Sequence, residues 1–178
     1  MEERIVIGDE PAKIAFEDLM ADHLDSAYNL ARWILPTVED AEDVVQDAFI
    51  RAFKGYAGFR GGNARAWILT IVRNTAYNHL RKYRNAFESL SDEDDSNSFV
   101  SEDLDPVQKI IHDGELLDLK TALDQLPPEY REAIVLHEIE DMPYKEIARI
   151  QSIPIGTVMS RISRARVKLR AMLAVDNH

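Results

Sequence analysis

The sequence predicts an all-α protein: two small helical domains joined by a flexible acidic linker. Three observations lead there. Apolar residues recur at helical spacing in both halves, and neither half shows strand-like alternation of any length. Residues 88–105, ESLSDEDDSNSFVSEDLD, combine acids and serines with few large apolar groups, too few to offset the entropy of ordering the segment. Proline and glycine punctuate the helical pattern at a handful of sites and nowhere cluster into low complexity. The expected division is an N-terminal domain at 1–85, a linker at 86–113 and a C-terminal domain at 114–178.

In the N-terminal half, Phe16, Leu19, Met20, Leu24, Ala27, Leu30, Ala31 and Ile34 form one helical stripe that ends at Pro36. Thr37-Val-Glu-Asp40 reads as a capping box, and a second helix carries Ala41, Val44, Val45, Ala48, Phe49, Ala52 and Phe53 up to Gly55. After a short loop, Asn63 caps a helix running from Ala64 to about Arg84. In the C-terminal half, Asp105-Pro106 starts a helix whose stripe includes Val107, Ile110, Ile111, Leu123 and Leu126. Pro127-Pro128 forces a restart, followed by a helix with Tyr130, Ala133, Ile134, Leu136 and Ile139 facing inward. Pro143 opens a short helix, YKEIARIQ, and Ser152-Ile-Pro-Ile-Gly156 connects it to a last, basic helix from Thr157 to about Leu173.

The chain has 178 residues, 46% of them hydrophobic, with a formal net charge of −11 and no cysteine. The missing cysteines exclude a disulfide framework, a thiolate zinc site and a thiol nucleophile. No apolar run approaches the ~20 residues of a membrane span, and the acidic start, MEERIVIGDEPAK, is unlike a secretory signal. A cytoplasmic protein without membrane insertion is expected. The mean charge conceals a segregation. Residues 48–85 hold eight Lys/Arg and no acid, and residues 147–175 hold six and no acid. The acids lie in 1–47, 86–115 and 116–146, with thirteen, ten and eight respectively. Two acid-free basic blocks on helices point to nucleic acid despite the global charge.

Residues 144–170, YKEIARIQSIPIGTVMSRISRARVKLR, have the spacing, tight turn and charge of a helix-turn-helix. Ile147, Ala148, Ile153, Val158 and Ile162 pack the two helices together. Thr157, Ser160, Arg161, Arg164, Arg166 and Lys168 are left to face outward, a mixture suited to base edges and phosphates. In the block 48–85, Trp67, Tyr77 and Tyr83 alternate with Arg60, Arg65, Arg73, Arg81, Lys82 and Arg84, which suits unpaired nucleotides. Core packing explains aromatics at that spacing equally well. The crowded acids Glu39, Asp40, Glu42, Asp43 and Asp47 fit a solvated or partner-docking face better than a metal site, because no inward ligands from other helices accompany them. No catalytic group or cofactor site is evident.

These residues resemble the sigma-70-type initiation factors of bacteria, specifically the extracytoplasmic-function (ECF) group. The resemblance covers roughly residues 14–173. DAEDVVQDAFIRAF (40–53) is similar to the family's core-binding helix. FRGGNARAWILTIVRNTAYNHLRKYR (59–84) is similar to its minus-ten segment, and LPPEYREAIVLHEIEDMPYKEIARIQSIPIGTVMSRISRARVKL (126–169) to its minus-thirty-five helix-turn-helix. The resemblance implies a non-enzymatic subunit that gives RNA polymerase its promoter specificity. It implies that Asp40, Asp43, Gln46, Asp47, Ile50 and Arg51 dock on the β′ clamp helices, while the C-terminal domain meets the β flap. Arg60, Asn63, Trp67, Arg73, Asn74, Tyr77 and Arg81 would hold the minus-ten strand, with Asn63, Arg73 and Asn74 at the flipped base. Thr157, Ser160, Arg161, Arg164, Arg166 and Lys168 would read the minus-thirty-five duplex. It also implies an anti-sigma protein as partner and no small-molecule substrate.

Three departures from the family pattern stand out. Met159 replaces a common Lys or Arg, Ser152 replaces the turn glycine, and the FRGG–NARAW loop lacks an acid after FRG. The acidic linker invites the expectation that it competes with DNA for the basic faces. Two other functions fit less of the chain: a dimeric helix-turn-helix repressor, and a metal-dependent enzyme acting on nucleotides.

Overall fold

The computed structural model describes residues 10–88 and 114–175, and the linker's central part lies outside them, as does the expected helix start at Asp105-Pro106. The described N-terminal residues form α1 (Glu10–Ile34), α2 (Val38–Gly55), a 3-10 turn (Tyr56–Gly58) and α3 (Ala64–Glu88). The described C-terminal residues form α4 (Gly114–Asp124), α5 (Pro128–Ile134), a π-helical turn (Val135–Ile139), α6 (Tyr144–Gln151) and α7 (Ile155–Val175). No strand occurs among the described residues.

The helix ends follow the local chemistry. Thr37 Oγ1 accepts the Asp40 amide at 3.0 Å, and its hydroxyl donates to the Asp40 carboxylate at 2.8 Å. Asp40 therefore closes the box through the Thr37 side chain, whereas a capping box was expected to take a backbone amide. Asn63 Oδ1 accepts the Ala66 amide at 3.0 Å and caps α3. Ser152 ends α6 in the left-handed region (φ 55°, ψ 44°), the conformation for which the family pattern has glycine.

One expectation fails at the π turn. Its extra residue, seen in the Glu140 amide reaching back to the Val135 carbonyl at 3.1 Å, advances the following side chains around the helix. Ile139, expected inside, is 48% exposed, and Glu140 is 3% exposed in its place. Leu24, also expected inside, stands at the surface of α1 at 45% exposure.

The two halves share a core. Leu30 and Ala31 of α1, Val44 and Ala48 of α2 and Leu69 and Val72 of α3 belong to one buried cluster with Ala133, Leu136, Met142, Ile147, Ile150, Val158 and Ile162. A second cluster joins α4, α5 and α7 through Leu123, Leu126, Ile134, Ala165 and Leu169, with Trp33 of α1 packed against it. Periodicity foretold the apolar faces but not that the halves would bury them against each other.

Candidate nucleic-acid and polymerase interfaces

The acidic helix α2 turns Ala41, Val44, Val45, Ala48 and Ala52 into the core. Asp43, Gln46, Asp47, Ile50 and Arg51 are thereby all placed on its exposed side. Ile50, 49% exposed, supplies an apolar centre to an otherwise charged stripe. Asp40 differs from this set. It is half-buried and accepts from His79 of α3 at 2.8 Å, so it fastens α2 to α3.

The seven candidate residues of α3 and the loop before it divide. Arg60, Asn63, Asn74 and Arg81 are exposed. Trp67 is partly buried, stacked on Phe59 with ring centroids 4.7 Å apart. Arg73 and Tyr77 are engaged within the protein. The Arg73 guanidinium pairs with Glu132 of α5 and lies 4.7 Å from the centre of the Tyr77 ring. Tyr77 donates to the other Glu132 oxygen at 2.9 Å. Burial, and then the negative Glu132 carboxylate, push the Tyr77 phenol well above its ordinary pKa.

A second link has the same construction. Arg65 pairs with Glu140 beyond the π turn, its Nε donates to Ser26 at 3.1 Å, and Asn29 donates to Glu140 at 3.3 Å. Glu132 and Glu140 are each 3% exposed. Sequence reasoning assigned neither residue a role. The usable signal was charge complementarity between the acid-free block at 48–85 and the acidic segment at 116–146, together with the solvation that makes an unpaired buried carboxylate so unfavourable. Beside these links the 58–63 loop and Trp67 border a cleft of about 350 Å³, whose opposite wall includes Glu146 and Arg149 of α6.

The last helix leaves part of its outer surface exposed. Val158, Ile162, Ala165 and Leu169 face inward. Ser160, Arg164 and Lys168 are exposed, Thr157 is half-buried, and Arg161 is held toward Gln151 at 3.3 Å. Among the described residues Arg164 reaches the Tyr130 hydroxyl, at a marginal 3.5 Å. Arg166 turns back to Glu138, with Nε 3.1 Å from the carboxylate, and its hydrogen bond holds the Glu138 carboxyl below its usual range. Among the described residues no group of three or more His, Asp or Glu side chains is arranged to hold a metal ion, and no helix is long and apolar enough to cross a membrane.

The chain matches the family model "Sigma-70 region 2" over residues 19–86 and "Sigma-70, region 4" over residues 116–169. It is 38% identical, over 94% of its length, to the ECF RNA polymerase sigma factor SigE of Mycolicibacterium smegmatis, of which it spans 65%. It is 32% identical to the ECF RNA polymerase sigma-E factor of Escherichia coli, over 98% of this chain and 90% of that one. Among solved structures, the sigma factor RpoE of Bartonella quintana, in complex with the anti-sigma factor NepR, superposes with a TM-score of 0.77 at 34% identity, covering 92% of this chain and 99% of that one. CnrH, in complex with the cytosolic domain of CnrY, gives 0.69 at 28% identity, covering 96% and 92%. The acidic helix α2, the aromatic basic helix α3 and the helix-turn-helix of α6 and α7 lie within these two matched regions, and the chain belongs to the ECF sigma factors of the sigma-70 family.

Proposed function

We propose that this chain binds core RNA polymerase, directs it to a set of promoters and helps open them. Residues 1–85 act as the core-docking and minus-ten domain, 114–178 as the minus-thirty-five domain, and 86–113 as the tether between them. The exposed stripe Asp43, Gln46, Asp47, Ile50 and Arg51, with Asp40 at its end, meets the β′ clamp helices, and the C-terminal domain meets the β flap. Arg60, Asn63, Trp67, Arg73, Asn74, Tyr77 and Arg81 hold the melted minus-ten strand, where aromatic rings stack on bases and cations follow the backbone. Thr157, Ser160, Arg161, Arg164, Arg166 and Lys168 engage the duplex upstream. The chain performs no catalysis of its own; polymerase supplies the chemistry.

The observation that carries this reading is the pairing of an exposed, acid-free recognition helix with a second basic helix that carries aromatic residues. A repressor has no use for the second. The ion pairs add a feature to the cycle. With Arg73 and Tyr77 held by Glu132, and Arg65 by Glu140, the described arrangement is a resting form whose halves separate when polymerase and DNA are engaged. An anti-sigma protein that favours the packed form would keep the factor off polymerase, and the similarity to the sigma factor RpoE in complex with the anti-sigma factor NepR supports such a partner. The decisive experiment is run-off transcription on genomic fragments with homologous core polymerase. Discrete transcripts that require the chain are expected; tight polymerase-independent binding to duplex without transcripts would favour the repressor.

A further inference from the structure

The outer surface of α7 consists of two parallel rows at i, i+4 spacing. Gly156, Ser160 and Arg164 form one row; Ile155, Met159, Ser163 and Val167 form the other, and every one of the seven is exposed. Ile155 is 46% and Met159 52% exposed. This apolar row is not an overflow of the core, because Val158, Ile162 and Ala165 already fill the inward side at 1% exposure or less. It runs beside the polar row from the first turn, the part of a recognition helix that contacts base edges. Nothing obstructs that turn: a Cβ on Gly156 would meet no atom within 4 Å.

The occupant is set by charge. From residue 147 to 175 there is no acid, and Arg164, Lys168 and Arg170 stand exposed around the apolar row. A polyanion with apolar groups at its surface fits that combination. The major groove is one, because thymine shows its C5-methyl there beside hydrogen-bonding edges. Between the two apolar candidates in the first turns, Ile155 is β-branched, stiff and at the helix end. Met159 lies one turn further in, flanked by Ser160 and Ser163, on an unbranched chain that can follow a methyl group wherever it sits.

We infer that Met159 is a specificity-determining residue whose thioether methyl packs on thymine C5-methyl groups in the upstream promoter element, beside polar readout by Ser160 and Arg164. This rests on α7 being the minus-thirty-five reader. Met159 selects A·T pairs at its position, whereas Arg164 is the residue suited to a guanine edge.

The test replaces each thymine of the upstream element, on either strand, by deoxyuridine, which removes one methyl group and leaves base pairing unchanged. Binding of the holoenzyme to each duplex is then measured. At one or two positions uracil should weaken binding roughly fourfold, the value of one buried methyl group. That loss should vanish in Met159→Ala, which shortens a side chain outside the buried core, and persist in Met159→Leu. Promoter-specific transcription with no uracil-sensitive position, or with sensitivity unaltered in Met159→Ala, overturns the assignment and leaves the initiation-factor reading intact. Absence of any promoter-specific transcript with the unaltered chain overturns both.

Discussion

Replacing Glu132 and Glu140 together by Gln should release the two halves without unfolding either. Each carboxylate is almost wholly enclosed and serves two donors from the other half: Arg73 and Tyr77 for Glu132, Arg65 and Asn29 for Glu140. Gln keeps one accepting oxygen and turns an NH2 toward the second donor, so each site loses one bond and the charge attraction. A hydrogen bond to a charged group contributes about 1.5–3 kcal/mol. Arg73 and Arg65 retain 20% and 29% of their side-chain exposure, and water moderates the loss accordingly. We take about 1–1.5 kcal/mol per site, or about 2–3 kcal/mol for the pair, which shifts the closed-to-open ratio roughly 30- to 150-fold.

The chain has no cysteine, so spin labels at Glu42→Cys on α2 and Ser163→Cys on α7, both exposed positions, report one distance between the halves. The parent should give a single short distance. The double variant should add a broad, longer population at unchanged helix content, and Glu129→Gln, which removes an exposed charge from α5, should not. The same variant should bind single-stranded minus-ten DNA more tightly in the absence of polymerase. If the melting temperature falls while the distance distribution stays single, the carboxylates stabilise the fold without governing its opening, and the reasoning is refuted.

Three further outcomes are expected. Arg164→Ala should lower transcription from promoters that depend on the upstream element, while core association is unchanged and stability shifts by no more than about 0.5 kcal/mol, because its one marginal contact is the Tyr130 hydroxyl. Asp47→Arg should weaken association with core polymerase in a competition assay and leave the melting temperature alone, since the residue is exposed on the outer side of α2. Ser152→Gly should raise stability by about 0.5–1 kcal/mol, read as a melting increase of about 1–4 °C, because it relieves a left-handed non-glycine residue at the α6 terminus.

The helix boundaries were legible because they depend on short-range chemistry. Pro36, Thr37, Gly55, Asn63 and Pro127-Pro128 mark their own ends whatever the rest of the chain does. The helix-turn-helix was legible for the same reason, its inward residues Ile147, Val158 and Ile162 being spaced by two helices and a tight turn. The π turn was not. It inserts one residue into a run whose spacing gives no sign of it, and the register of Ile139 and Glu140 is exchanged as a result. Nor was the engagement of Arg73 and Tyr77, since periodicity identifies the face a residue occupies and is silent on what that face meets. Asp43, Gln46, Asp47, Ile50 and Arg51 of α2, and Ser160, Arg164 and Lys168 of α7, stand exposed where helical geometry puts them, whereas the contacts of Asp40 with His79 and of Arg166 with Glu138 gave no sign in the spacing.

The two basic blocks thus have opposite fates, which orders the steps of the proposed cycle. Ser160, Arg164 and Lys168 of α7 are exposed in the packed arrangement, so duplex recognition asks only that Arg161 and Arg166 leave their side-chain partners Gln151 and Glu138. The central part of α3 is neutralised: Arg65 and Arg73 face buried carboxylates, and Tyr77 donates its hydroxyl to one of them. A free molecule in this state presents the net −11 of the whole chain to distant nucleic acid and little of the local field of its 48–85 block. In the proposed cycle single strands would therefore meet only the exposed Arg60, Asn63, Asn74 and Arg81 until the halves separate. Separation exposes Glu132 and Glu140 as well as the arginines, and an unpaired carboxylate released to water loses its penalty, so the open form is accessible once polymerase holds the α2 stripe and the C-terminal domain apart. In the proposed cycle DNA phosphates would then take the places of Glu132 and Glu140 on the same guanidinium groups. Strand capture would thereby be coupled to assembly with polymerase, by the same ion pairs that join the halves in the packed form.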